Sequence, residues 1–312
     1  MIETLKIGTR KSPLALWQAH YVKDRLQQLN TELDVQLVEI VSSGDKHLET
    51  ALAKIGGKGL FLKELENALL DGSVDIAVHS MKDVTVELPI GLHIPVICER
   101  EDPTDAFVSN HYNSLADLPN GAKVGTCSLR RKSQIAARFP QLELIDLRGN
   151  VNTRLKRLDD GDFEAIILAS AGLMRLGLDE RIKQRMAIDE ILPAVGQGAV
   201  GIECRENDDR INALIKPLNC DATMIRVTAE RAANKVLGGG CHVPVAAFAQ
   251  LQGDKLSLQA LVGSVDGKTI LSCEHQGNRA SPVKLGEIAA RDLIEQGANG
   301  ILATVYRELG GD

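Results

Sequence analysis

Aromatic side chains are scarce in this 312-residue chain, at 3% of positions, which argues against a single-strand nucleic-acid binder that stacks bases in succession. Positive charge is not in excess either. The 36 Lys and Arg face 42 Asp and Glu for a formal net charge of −6, so the surface as a whole is not built for a polyanion. The six cysteines, Cys98, Cys127, Cys204, Cys220, Cys241 and Cys273, include no CxxC pair and no Cys/His run at zinc spacing. They read as free thiols of a reducing compartment, and no metal site is expected. No stretch reaches the roughly eighteen apolar residues of a membrane span, and the opening MIETLKIGTRKSPLALW holds no apolar core of signal-peptide length. A cytoplasmic protein without membrane or nucleic-acid partners is expected.

What is present is ordinary globular material, 44% hydrophobic and 25% charged, with length for about two domains or three small ones. Strands alternate with helices through the first two thirds. Leu5 to Ile7 reads as a strand, and Ser12 as the N-cap of a helix with Pro13 at its first position, running to about Asn30 with the stripe Trp17, Tyr21, Val22, Leu26 and Leu29. Val35 to Val41 reads as a strand. A glycine-rich loop, Ala53 to Phe61, leads to a helix from Leu62 to about Leu70, and the strand Asp75 to Val78 delivers HSMKDV at its end. Strands Lys123 to Gly125, Leu142 to Leu147 and Ala165 to Leu168 continue the pattern, which predicts largely parallel sheets covered by helices. Two irregular stretches, Glu99 to Thr104 and Pro193 to Gly201, read as crossings between two lobes. After Asp221 the order becomes helix, three strands (Val243 to Ala249, Leu256 to Val262, Ile270 to His275) and a helix from about Pro282 to Gln296, a small α+β domain. The expected division is 1–99 with 199–217, then 104–193, then 221–312.

Arg and Lys recur where strands hand over to helices: Arg10, Lys11, Lys82, Arg130, Arg131, Arg148 and Arg154. Between Gly121 and Lys156 stand eight Lys or Arg and two acids. A helix N-terminus already carries partial positive charge, so Arg130 and Arg131 in a first turn call for an anion to offset them. In open α/β sheets such strand ends line the ligand crevice. The bland alternative is a solvated basic surface. Asp83 is an acid amid these bases. It either pairs with a neighbouring cation, or stabilises developing positive charge and exchanges protons with a substrate N–H. His79 and His242 have no partner at ligand or triad spacing and read as hydrogen-bonded structural residues. AKIGGKG lacks the form of a nucleotide P-loop.

Cys241 follows Gly238, Gly239 and Gly240 and precedes Pro244, on a loop after a helix whose end Gly238 marks by a left-handed conformation. It is either a small hydrophobe beside a tight turn or a thiol that a bulky group can approach from several sides.

GTRKSPLALWQ, AKIGGKGLF, HSMKDV, GTCSLRR, LRGNVNTR, PAVGQGA and ERAANKVLGGGCHVP, in this order, resemble the porphobilinogen deaminase family over essentially the whole chain. The resemblance implies two lobes like those of periplasmic binding proteins and a third domain carrying the cysteine. It implies a dipyrromethane joined by thioether to Cys241, onto which four porphobilinogens condense head to tail with loss of ammonia before hydrolysis frees hydroxymethylbilane. Lys82, Asp83, Thr126, Ser128, Arg130, Arg131, Arg148, Arg154 and Gly198 would hold this cofactor. Arg10, Ser12, Lys54, Phe61, Arg148, Arg154, Arg175 and Gln197 would bind the incoming porphobilinogen. Each pyrrole carries an acetate and a propionate, which suits a fringe of Arg and Lys. Asp83 would be the catalytic carboxylate beside the electron-poor azafulvene, and Cys241 a tether needing no unusual thiol pKa. The family also implies a monomer.

Two positions depart from the family pattern. Cys127 stands where Ser is common, which puts a hydroxyl hydrogen bond there in doubt, and Thr85 follows Val84 where Pro is common. The rival readings are a two-lobed binding protein for a small anion and a cysteine-nucleophile hydrolase. The absence of a signal peptide and the glycine-flanked Cys241 count against the first. The lack of a His with an orienting acid counts against the second.

Overall fold

A computed structural model of the chain describes residues 4–41, 62–240 and 243–308. Strands β1 (Thr4–Thr9), β2 (Asp34–Glu39), β3 (Ile76–Ser80), β4 (Leu92–Ile97) and β10 (Val200–Arg205) form one sheet in the order β2-β1-β3-β10-β4. A second sheet contains β5 (Asp105–Val108), β6 (Lys123–Gly125), β7 (Glu143–Ile145), β8 (Ala165–Ala169) and β9 (Gln184–Met186), in the order β7-β6-β8-β5-β9.

Both sheets are mixed, which corrects the expectation of largely parallel ones. β10 runs antiparallel to β3 and β4, and β5 antiparallel to β8 and β9. The reason is the pair of crossings. β4 leads through the first crossing into β5, and β9 through the second into β10. A chain arriving from the other lobe enters at the crevice edge, where the parallel strands end, and so must run against them. The strand ends that carry the basic residues and both crossings therefore share one edge.

Helix α1 (Pro13–Leu29) starts as expected, with Ser12 Oγ accepting from Ala15 N at 3.4 Å. Its core face is Ala19, Val22 and Leu26, all fully buried, while Leu29 is 59% exposed. Trp17 and Tyr21 stack on each other with centroids 5.5 Å apart, and Arg175 of the second lobe sits over the Trp17 ring at 5.4 Å. Of the expected stripe, Val22 and Leu26 are core and Tyr21 packs against it, while Trp17 meets the neighbouring lobe. Helices α2 (Lys63–Leu70), α3 (Leu129–Arg138), α4 (Val151–Asp159), α5 (Ser170–Arg175) and α6 (Asp209–Ile215) complete the two lobes.

The third unit has α7 (Asp221–Val236), then β11 (Val245–Gln252), β12 (Lys255–Gly263) and β13 (Ile270–Asn278) as an antiparallel sheet, then α8 (Pro282–Glu295) and α9 (Ala298–Glu308). Gly238, with φ +63, ends α7 as expected. Gly286 lets α8 lie against α7, since a Cβ there would stand 2.3 Å from the Ala229 carbonyl. Helix α9 is an addition to the expected elements. Gly297 (φ +107) stops α8, but Ala298, Leu302 and Val305 repeat at helical spacing and are buried in the same core. The opposite sheet face, with Ala246, Phe248 and Leu261, packs on Leu192 near the second crossing.

Glu230 of α7 fastens the three parts together. Fully buried, it accepts from Arg100 Nη1 at 2.5 Å in the first crossing, from Gly196 N at 2.7 Å in the second, and from Ala249 N at 2.9 Å in β11. Arg100 Nε also donates to the Gln197 carbonyl at 2.8 Å. Among the described residues, no helix is long and apolar enough to cross a membrane.

Candidate functional site

β3 ends at Ser80, and the chain turns through a single 3-10 turn, Met81–Asp83. Met81 is buried beneath the second crossing, where Gly196 (φ +68) is required, because a Cβ would lie 2.8 Å from that of Met81. The turn is therefore clamped, and it projects Lys82 and Asp83 from a fixed base. Asp83 is exposed, and its carboxylate faces two cations, Lys82 and Arg154, whose charged forms it favours. Burial pushes the Lys82 ammonium down to about 8, opposed by Asp83 and Asp105 and reinforced by Arg131 and Arg130.

The anion that offsets Arg130 and Arg131 is in part the protein's own. Asp105, at the start of β5, is fully buried. Its Oδ1 accepts from Arg131 Nη2 at 2.6 Å, from Arg131 Nε at 3.1 Å and from Gln197 Nε2 at 2.9 Å. Arg130 Nη1 lies 2.8 Å from Oδ2 and donates to the Leu192 carbonyl at 2.7 Å. Burial alone would raise the Asp105 carboxyl, but the two guanidinium groups reverse this and hold it well below the usual carboxylate range. Asp105 escaped the reading of the sequence because it sits beyond the first crossing, 25 residues before Arg130. The uncompensated arginines of the α3 first turn were the only signal of it.

Lys82, Arg130 and Arg131 surround this carboxylate, and Lys82 and Arg154 face Asp83, so that among the described residues this cluster holds four cations and two acids. Arg154 Nε donates to the Gly149 carbonyl at 2.8 Å, and burial lowers its pKa, with Arg131, Asp83 and Arg148 as charged neighbours and Cys127 nearby. Arg148 is shared with Asp146 at 3.4 Å, which Lys132 also approaches at 2.7 Å. Ser128 caps α3, accepting from Arg131 N at 3.4 Å, and the Thr126 hydroxyl accepts from Ser128 N at 3.3 Å. Both hydroxyls thus shape the turn that aims the arginines.

On the other flank, Arg10 and Ser12 stand between β1 and α1. Arg175 is buried, with Nη2 donating to the Gly198 carbonyl at 2.7 Å. Gly198 (φ +87) has no room for a side chain, since a Cβ would come within 2.4 Å of the Glu101 carbonyl. It positions Arg175 through its backbone. Gln197 donates to Pro103 O at 2.7 Å as well as to Asp105. Cys241, Lys54, Phe61 and His242 lie outside the described residues. His79 is a buried partner of Glu203, 2.8 Å away, and takes no place at this edge.

Four polar atoms of these residues, the donors Arg130 Nε and Arg175 Nε and the acceptors Gln197 Oε1 and Asp105 Oδ2, are buried without a hydrogen-bond partner. The two orphaned arginine donors, beside this cluster of cations, fit a polycarboxylate ligand such as a dipyrromethane.

Two α/β lobes joined by two crossings, with a basic shared edge and a third domain fastened to both crossings, define a two-lobed protein for anionic ligands. Solved structures similar to it include a periplasmic substrate-binding protein of an ABC transporter from Coxiella burnetii (17% identity, TM-score 0.45, covering 70% of this chain and 94% of that one). Another is the methionine-binding protein MetQ (15% identity, TM-score 0.46, covering 76% and 96%). The family profile described as porphobilinogen deaminase, dipyromethane cofactor binding domain, matches residues 5–213, and that of the porphobilinogen deaminase C-terminal domain matches residues 224–295. The chain belongs to the porphobilinogen deaminase family, transferases of porphyrin and haem biosynthesis known also as hydroxymethylbilane synthases, and its first two lobes form a dipyrromethane cofactor-binding domain.

Proposed function

We propose that this enzyme adds four porphobilinogen molecules head to tail, each with loss of ammonia, to a dipyrromethane held by Cys241, and then hydrolyses off hydroxymethylbilane. The observation that carries the reading is the setting of Asp83, an exposed carboxylate facing Lys82 and Arg154, projected from a clamped turn into a cluster of cations. When bound, the dipyrromethane supplies the nucleophilic pyrrole carbon from which the chain grows.

Lys82, Arg130, Arg131, Arg148 and Arg154 hold acetate and propionate groups, with Thr126 and Ser128 setting the turn that presents them. Arg10, Ser12, Arg175 and Gln197 receive the incoming ring from the other flank, Gly198 fixes Arg175, and Lys54 and Phe61 contribute to binding the same substrate. Asp83 accepts a hydrogen bond from a pyrrole N–H. As the bond to ammonia breaks, positive charge spreads onto that ring nitrogen, and the exposed carboxylate stabilises it and takes up the proton released on condensation. Cys241 acts as a tether formed once, so turnover asks for no thiolate. In this reading 1–99 with 199–217 and 104–193 are the two lobes, 221–312 carries the tether, and the enzyme works as a monomer in the cytosol.

Intact-protein mass spectrometry tests the anchor. The purified chain should be heavier than its sequence by one dipyrromethane, and Cys241→Ser should lose the stable adduct. An unmodified folded wild type, or a normal adduct on the variant, would refute it. Asp83→Asn should keep the adduct while slowing condensation by about 10²- to 10³-fold, the usual scale for removing one electrostatic stabiliser. Single-turnover rates equal to wild type would remove Asp83 from the mechanism.

A further inference from the structure

We infer that Cys273, His275 and Asp292 form a binding site for a zinc-like divalent ion on the third domain, apart from the basic edge. The sequence has no zinc spacing because the third donor comes from a helix. Cys273 and His275 lie two apart on β13, so their side chains leave the same face of the sheet. That face is covered by α8, where Ala289 and Asp292 are three apart and so neighbours along one side of the helix. Strand and helix meet in register. The Cys273 thiol donates to the Ala289 carbonyl at 3.4 Å, and His275 Nε2 stands 2.7 Å from Asp292 Oδ2.

The donor atoms of the three residues all lie within 4.8 Å of one another. Zinc–ligand bonds of about 2.0 Å to nitrogen or oxygen and about 2.3 Å to sulfur place tetrahedral ligands roughly 3.2–3.8 Å apart, so closure asks for shifts on the order of 1 Å. The carboxylate is already oriented. Gln296 Nε2 donates to Asp292 Oδ1 at 2.8 Å and also to the Ser272 carbonyl at 3.3 Å, which leaves Oδ2 turned toward the imidazole. Supporting hydrogen bonds of this kind are typical of groups that orient metal ligands.

The donor set selects the ion. A thiol with an imidazole and one carboxylate suits zinc or cobalt and not magnesium or calcium, which take oxygen ligands. On binding, the thiol proton passes to solvent. The resulting thiolate and the carboxylate then neutralise the two charges of the ion. With the His275 and Asp292 side chains 30% and 36% exposed, one side stays open for water as fourth ligand.

Cobalt(II) is the probe, titrated into the chelator-treated holoenzyme. One equivalent per chain should produce a thiolate-to-cobalt charge-transfer band in the near ultraviolet with visible bands of tetrahedral intensity, and zinc should bleach them. Cys273→Ser should abolish the charge-transfer band, and His275→Gln should weaken cobalt binding at least tenfold. Zinc should raise the thermal midpoint of the wild type and leave that of His275→Gln unchanged, which separates loss of a ligand from loss of folding. No band at stoichiometric cobalt, a band that survives in Cys273→Ser, or one lost instead in Cys127→Ser would overturn the site.

Discussion

Replacing Asp105 by Asn tests how the basic cluster is held together. The change keeps the shape of the side chain and removes its charge, leaving Arg130, Arg131 and Lys82 around a neutral amide. Asn Oδ1 can still accept from Arg131 and Gln197, as the native Oδ1 does. The amide nitrogen, however, would face Arg130 Nη1, a donor against a donor, where the carboxylate now stands at 2.8 Å. Removing one partner of a buried ion pair costs about 3–5 kcal/mol, and the retained acceptor puts this variant near the lower end, at about 3 kcal/mol. Urea unfolding at pH 7 reads it as a lower midpoint at unchanged slope.

The pH dependence follows from the depressed carboxyl. Its stabilisation is complete above the unfolded value of about 3.9 and is lost only as pH falls through the lower folded value. The difference between wild type and variant should then be flat from about pH 5 to 7 and shrink under stronger acid. Combining Asp105→Asn with Arg131→Gln should cost less than the sum of the two by about 0.5–3 kcal/mol. A loss below about 1 kcal/mol, or strict additivity, would show that Asp105 does not anchor the arginines.

Glu230→Ala removes the acceptor shared by Arg100, Gly196 and Ala249, and should destabilise the chain by about 3–5 kcal/mol and speed proteolytic cleavage at the two crossings, seen by gel after limited digestion; a wild-type melting curve would contradict it. The Lys82 ammonium, pushed down to about 8, loses its charge as pH rises through that value, so the cluster binds carboxylates less well on the alkaline side. Inhibition by a pyrrole dicarboxylate should weaken between about pH 7 and 9, and Lys82→Arg, which stays charged, should flatten the profile. An unchanged slope in that variant would assign the effect elsewhere.

Much of the fold was legible because it depends on local chemistry. Ser12 and Pro13 start α1, Gly238 ends α7, and the strand-to-helix alternation marks the first two lobes. The basic residues could be assigned to strand ends from the same alternation. Helix α9 is hard to read from the sequence because Gly297 stops one helix while three apolar residues at helical spacing begin another. The place of Trp17 was hidden for a different reason. Trp17 looks like core by spacing, yet its ring meets Arg175 in another lobe, while Tyr21 packs on the core and stacks on Trp17.

The sequence by itself determined the capped helices, many of the strands, the basic strand ends and the family resemblance, since propensity, capping and motif order act over a few residues. Tertiary structure alone decided how those ends are balanced. Asp105 reaches Arg130 and Arg131 across 25 and 26 positions, Glu230 reaches Arg100 across 130, and Cys273 and His275 meet Asp292 only when a helix lies on a strand. Charges in a folded interior are paired by distance through space, because burial makes an unpaired one costly, and no local pattern records that distance.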